Sequence, residues 1–372
     1  MTADIVAKPP TIRSTNSLLS CNKSIVPTFY MDEAGYTGYD LLNEQQRFQG
    51  AAALQMDEGT AKALVKEHFP RTKLTELKHQ KLSRRKSNWD ALLNLQRIIL
   101  RDYSSFTYVC DKRYLLTLMF LDSCVEPFFY DRGIDFYQDG HNYGLASLLY
   151  HTAPSFWGAR NFDEVLYLFQ CAQRSKSDVA IQALVEKAKS LRGRELSENL
   201  LPLAMEDASC LREIRNVRTS TDAAFVVILS LISHIEKFVT ETYAVVHDRS
   251  ENLLQYNKIL SKLVAATFQE SFRQTQITSL NFPLKLSRVS QMYSRDSSGV
   301  QLADLLIGGM IEYSMTLIGK TDKTEYNQAV IGLYGDANLI HMLPNLDFEE
   351  DKKFRRGTNA GVLIDFFAKH FS

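Results

Sequence analysis

The sequence predicts an α/β protein, a mixed sheet flanked by helices and interrupted by a large all-α insertion. Three observations point there. Short apolar strands alternate with amphipathic helices between Val26 and Asp111. From about residue 114 to residue 241 the apolar spacing is helical throughout. Strand patterning then returns at Thr242–Asp248. The chain therefore divides into a flexible N-terminal arm (1–23), a first α/β part (24–113), the insertion (114–241), and a second α/β part with a C-terminal tail (242–372).

Each element has its own local reason. Residues 1–23 are rich in Ser, Thr and Asn, the composition of a loose arm. Val26–Asp32 reads as a strand running straight into Asp32, Glu33, Ala34 and Gly35, with a turn region over 35–46. Phe48–Met56 reads as a second strand whose small residues allow close packing. Asp57 caps a helix that ends at Pro70. Thr72–His79 is a short extended or loop piece. Ser87 is expected to cap the next helix, with Trp89, Leu92, Leu93, Ile99 and Leu100 on one face. Ser105–Asp111 reads as a strand ending in an acid.

Within the insertion the helical pattern breaks near Pro127, Gly133, Pro154 and Gly193. Its apolar residues, among them Leu149, Val165, Leu166 and Phe225 to Ile232, need surfaces to bury against. A packed helical subdomain is expected, lying over the sheet edge, where it could gate access to the acids, or forming the subunit interface of a homo-oligomer. After Thr242–Asp248 come a helix over 251–268, a strand over 284–292, and a helix opening at Ser297 or Ser298.

Composition narrows the function classes. Hydrophobic residues make up 45% of the 372, enough for a sizeable core. Basic and acidic residues balance at 43 each, so any nucleic-acid binding must come from a local patch. The 5 cysteines are scattered and speak for a reducing compartment, against a zinc site or disulfide framework. The longest apolar stretch, Ala223 to Ile232 broken only by Ser230, is too short to span a bilayer. The expectation is a soluble, cytoplasmic protein with no membrane partner. Phosphate-binding glycine loops of the Gly-x-x-x-x-Gly-Lys and Gly-x-Gly-x-x-Gly kinds are absent.

The acids carry the chemistry. Asp304 lies among Leu302, Ala303, Leu305, Leu306 and Ile307, where a carboxylate is costly without a partner. Gln301, Asp304 and Gly308 share one helical face, suited to leaning closely on another segment. Three strands end in acids at Asp32, Asp111 and Asp248. Lying parallel in one sheet, they would present all three at one carboxyl edge. Clustered carboxylates repel, and a divalent cation removes the conflict. Two such ions about 3.5–4 Å apart can activate a water and steady a leaving oxygen in phosphodiester cleavage. The plainer reading of an acid after a strand is a turn or helix-cap residue. Lys78, His79, Lys81, Arg84, Arg85 and Lys86 form a basic cluster on which an anionic backbone could rest, though a solvated surface has the same composition.

These pieces resemble a bacterial family known as domain of unknown function 3800. The resemblance rests on Asp32-Glu33-Ala34-Gly35-Tyr36-Thr37, Glu76-Leu77-Lys78, Asp111-Lys112, Asp248-Arg249 and Gly299-Val300-Gln301-Leu302-Ala303-Asp304-Leu305. It covers about 26–111 and 242–315, leaving the helical segment outside. Ala34 stands where the family more often has serine. The resemblance implies a ribonuclease H-like fold and a metal-dependent nuclease. The acid on the first strand would sit centrally, and a late helix would bring in the last ligand. The candidate catalytic residues are then Asp32, Glu76, Asp111, Asp248 and Asp304. Asp32, Asp248 and Asp304 are the candidate ligands of Mg2+ or Mn2+. Glu33, Lys78, Lys81, Arg84, Arg85 and Gln301 are candidate contacts to a DNA or RNA substrate. The rival expectation is a catalytically silent module of the same fold that binds nucleic acid or protein.

Overall fold

Strict alternation in β1 (Thr28–Ala34) sends Phe29 and Met31 to one face of a sheet and Tyr30 and Asp32 to the other. The computed structural model describes residues 26–70, 75–250, 256–275, 279–321, 324–335 and 339–371. The arm expected at 1–23 lies outside them. The remaining strands are β2 (Phe48–Gln55), β3 (Ser105–Asp111), β4 (Tyr243–Asp248), β5 (Glu270–Arg273), β6 (Ser279–Phe282), β7 (Leu286–Met292) and β8 (Leu339–Met342).

Six strands form one sheet in the order β7-β4-β1-β2-β3-β8. β2 is antiparallel to both β1 and β3, while β1, β4 and β7 run parallel, as do β3 and β8. β1 is thus internal, and its carboxyl end opens at the same edge as those of β3 and β4. β5 and β6 form a separate antiparallel pair.

Helices cover both faces. Ser298–Leu317 lies across β1 and β2, with Glu58–His68, Trp89–Asp102 and Glu325–Tyr334 around it. Its Val300, Leu302, Leu306 and Ile307 bury against Tyr30, Ala52 and Val109. The other face, carrying Phe29, Met31, Ala53, Phe106 and Tyr108, packs on the helical stretch between β3 and β4. That stretch, Lys112 to Phe238, contains no strand among the described residues. Its last long helix, Ala224–Phe238, sits directly on β2 and β3. The segment therefore shares one continuous core with the sheet instead of standing apart.

Several boundaries differ from expectation. β1 continues two residues past Asp32, because Glu33 and Ala34 still pair with Ala51 and Gly50. It stops at Gly35, whose φ of +82° and approach to the Phe48 carbonyl leave no room for a side chain. Asp57 caps its helix as expected, accepting from the Thr60 N–H at 2.9 Å. Ser87 does not cap: it sits inside a 3-10 turn, Lys86–Asn88, that leads directly into the helix. The helix expected over 251–268 spans Asn257–Ala265, with 251–255 outside the described residues. The cap of the late helix is Ser297, whose hydroxyl accepts from the Val300 N–H. No helix among the described residues is long and apolar enough to cross a membrane.

Candidate active site

Asp32 faces the Ser298–Leu317 helix from the middle of the sheet, and only 5% of it is exposed. One oxygen accepts the Glu33 N–H at 2.8 Å. Met31 is in register with His247, so the next residue of β4, Asp248, stands beside Asp32. The helix above supplies Asp304, whose side chain is 16% exposed.

The shared face of Gln301, Asp304 and Gly308 grips a single segment. Gln301 Oε1 accepts the Leu77 N–H at 2.9 Å. Asp304 Oδ2 accepts the His79 N–H at 2.7 Å. A side chain at Gly308 would collide with the His79 ring, its Cβ falling 2.3 Å away, so glycine is what lets the two segments touch. This clamp delivers Glu76 and Lys78 to the acids. Lys78 Nζ lies 3.4 Å from Asp32, 3.3 Å from Glu76 and 3.3 Å from Asp304.

Ser294, in the turn after β7, closes the ring. Its N–H donates to Asp248 at 3.0 Å, its hydroxyl donates to Glu76, and its carbonyl accepts from Gln301 Nε2 at 2.8 Å. Nothing in the sequence singled out Ser294, because two of its three contacts use the backbone. His79, expected in the basic cluster, is instead buried, with Nε2 2.9 Å from the Tyr326 hydroxyl.

The electrostatics follow from burial and crowding. Burial pushes the Asp32 carboxyl well up, Asp304 and Asp248 add to the rise, and Lys78 opposes it. Burial likewise raises Asp304, against the pull of Lys78 and the His79 N–H. Glu76 goes the other way: the Ser294 hydrogen bond and Lys78 outweigh its desolvation and lower it. Desolvation disfavours the Lys78 ammonium, but Asp32, Asp304 and Glu76 more than offset it and hold the charge. His79, desolvated, drops to about 4 and is neutral at physiological pH. Four carboxylates around one ammonium leave excess negative charge. Among the described residues no three His, Cys, Asp or Glu side chains are arranged to hold a metal ion as they stand. The Lys78 ammonium lies among the carboxylates instead.

Asp111 does not join this group. Through β2, the β3 residue level with Asp32 is Thr107, and Asp111 lies four residues further along. That is roughly 13 Å at strand rise, with β2 between. Asp111 instead caps the Lys112–Cys124 helix, accepting from the Tyr114 N–H at 3.0 Å. It also pairs with Arg47 at 2.9 Å and accepts from the Tyr150 hydroxyl at 2.8 Å. Glu33, one residue from Asp32, points to the opposite side of its strand and accepts from the Ser250 hydroxyl at 3.1 Å. Lys81, Arg84 and Arg85 are exposed on and just after the short His79–Ser83 helix, at the rim and not among the acids. Gln301 faces protein, not solvent, so its contacts here are those of a structural clamp.

The protein is a mixed α/β fold with an acidic cluster at the carboxyl edge of its central strands. Comparison of the chain with protein-family models, with curated proteins and with solved structures found no match.

Proposed function

We propose that the chain is a metal-dependent nuclease of ribonuclease H-like architecture, hydrolysing phosphodiester bonds of nucleic acid. The observation that carries this reading is the convergence of Asp32, Glu76 and Asp304 on one point, marked by Lys78 Nζ at 3.3–3.4 Å from each. Asp32 on an internal first strand and Asp304 on a late helix match the positions the family resemblance implies.

The donor set suits a hard divalent cation. Its members are carboxylates, and their mutual repulsion is of the kind such a cation relieves. Mg2+ or Mn2+ held by Asp32, Asp248 and Asp304 would supply the Lewis acidity that makes water a nucleophile near neutral pH and steadies the leaving oxygen. The protein's own part is placement. Ser294 orients Asp248 and Glu76. The His79 N–H fixes Asp304, and neutral His79 adds no charge to compete with a cation. Lys78, leaving the centre, would reach a phosphate oxygen. The exposed Lys81, Arg84 and Arg85 would meet the backbone beyond.

The test is incubation with mixed DNA and RNA substrates in magnesium, manganese or chelator. Metal-dependent cleavage that disappears in Asp32→Asn is expected; equal, absent cleavage in all three conditions overturns the reading. The second reading, a silent nucleic-acid-binding module, draws on one observation. The Lys78 ammonium already neutralises part of the cluster, as a site that never takes up metal would require.

A further inference from the structure

Two arginines lie over one exposed tyrosine at the rim of the acidic cluster. Tyr293 is 44% exposed. The Arg249 guanidinium carbon is 5.0 Å from its ring centroid, and that of Arg295 is 4.9 Å away. Each of the three adjoins a residue of the acidic ring in the chain. Arg249 follows Asp248, while Tyr293 and Arg295 flank Ser294 on either side. Ser294 is the residue bonded to Asp248, Glu76 and Gln301.

The platform is held in place by backbone contacts. The Arg249 N–H donates to the Met292 carbonyl at 3.0 Å, tying the end of β4 to the end of β7. The Asp296 N–H donates to the Tyr293 carbonyl at 2.8 Å, closing a 3-10 turn over Ser294–Asp296. Both arginines are exposed, and among the described residues the ion pair of Arg295 is a long 3.7 Å one with exposed Asp296. Cations gathered over an aromatic face beside a negative cleft fit a ligand that is both anionic and aromatic. A nucleotide of a single strand is such a ligand: its base stacks on the ring or a guanidinium plane, and its phosphate meets the charge. Bases inside a duplex are already stacked and paired, so they cannot use the ring.

We propose that Arg249, Tyr293 and Arg295 form a stacking grip for an unpaired nucleotide, selecting single-stranded over duplex nucleic acid and holding the strand against the acidic cluster. The grip deepens the nuclease reading by naming its substrate class, and it rests on that reading for its location. It makes a claim about binding that needs no cleavage. Its three residues take no part in holding a cation.

The experiment is fluorescence anisotropy with the full chain in EDTA. The probes are a short fluorescein-labelled single-stranded DNA of mixed sequence, its RNA equivalent, and the same sequence as a blunt duplex. Wild type is expected to prefer the single strands. Tyr293→Ala should weaken single-strand binding roughly tenfold and leave duplex binding unchanged, while Tyr293→Phe should keep it. Arg249→Gln and Arg295→Gln should each weaken binding and shallow its salt dependence by about one phosphate contact. The DNA and RNA arms separate the two sources of the same chemistry. Equal weakening for single strand and duplex in Tyr293→Ala, undiminished binding in that variant, or no single-strand binding by wild type overturns the proposal. Circular dichroism of each variant excludes loss of fold as the cause. Binding as expected, without cleavage in magnesium or manganese, leaves the grip standing and removes the nuclease reading. Cleavage with binding unaffected by Tyr293→Ala does the reverse.

Discussion

The His79 backbone N–H donates to Asp304 at 2.7 Å across 225 positions of sequence. One hydrogen bond thus joins the segment that carries Lys78 to the helix that carries the last acid. Beside it, Gly308 keeps the helix close enough for Lys78 to lie among Asp32, Glu76 and Asp304.

Replacing Lys78 by Met leaves those acids without their internal counter-ion. Removing one partner of a largely buried pair is expected to lower stability by about 2–4 kcal/mol in chelator, somewhat below the range for full burial because Lys78 keeps 26% exposure. Manganese should then restore more stability to the variant than it adds to wild type. Thermal unfolding with and without manganese measures both effects, and an equal gain in the two proteins would remove the idea that Lys78 and a cation compete.

Asp32→Asn is expected to abolish cleavage while raising the stability of the metal-free protein at neutral pH. The sign comes from the raised carboxyl. Unfolded, Asp32 ionises near its ordinary 3.8; folded, burial and the Asp304 charge hold its proton to higher pH. Between those points the folded state binds more protons, so wild-type stability falls as pH rises. The advantage of the variant should therefore appear above pH 4 and vanish below it. Calorimetry across that range checks it, and a variant less stable than wild type at pH 7 would mark Asp32 as structural.

Asp111→Ala should behave in the opposite way. It removes a helix cap and one of the partners of Arg47, at a combined cost of about 2–4 kcal/mol. Cleavage by the remaining folded protein should be unchanged. Metal-dependent turnover normalised to folded fraction is the readout, and its loss would return Asp111 to the site.

Gly308→Ala inserts one methyl group 2.3 Å from the His79 ring. Overpacking of this kind typically costs 1–3 kcal/mol. Here it should also push the Lys78 segment off the helix, reducing turnover although no acid has changed. Gly319→Ala is a poor control, since its φ of +70° adds strain; Gly332→Ala, whose added Cβ meets nothing within 4 Å, is the better one. Unchanged turnover in Gly308→Ala would mean the clamp tolerates displacement.

The sequence made the two ends of the site readable for a physical reason. Asp32 and Asp304 are charges among apolar neighbours, and such positions need partners. The helical face of Gln301, Asp304 and Gly308 was readable from spacing alone. Asp111 misled because a strand-end acid looks the same whether it caps the next helix or faces a cleft; only the register through β2 separates the two. Ser294 was invisible because it acts mainly through its backbone. The short strands β5, β6 and β8, four residues each, were missed for want of a run long enough to show alternation. Ser87 failed as a cap because a preceding 3-10 turn had already begun the helix. The helical stretch between β3 and β4 was legible from its periodicity, while its packing on the sheet face depended on contacts that spacing does not encode.

The sheet order has a consequence for biosynthesis. β1 borders β2 on one side and β4 on the other, yet the whole helical stretch is translated between β3 and β4. A growing chain that has just completed β3 already holds Asp32, Glu76 and Lys78, but neither Asp248 nor Asp304. At that stage the open edge of β1 lacks its parallel neighbour, and Lys78 has two carboxylates in place of three. The acidic ring can close only after the Ser298–Leu317 helix has left the ribosome and docked, so a nascent or truncated chain lacks the assembled cluster.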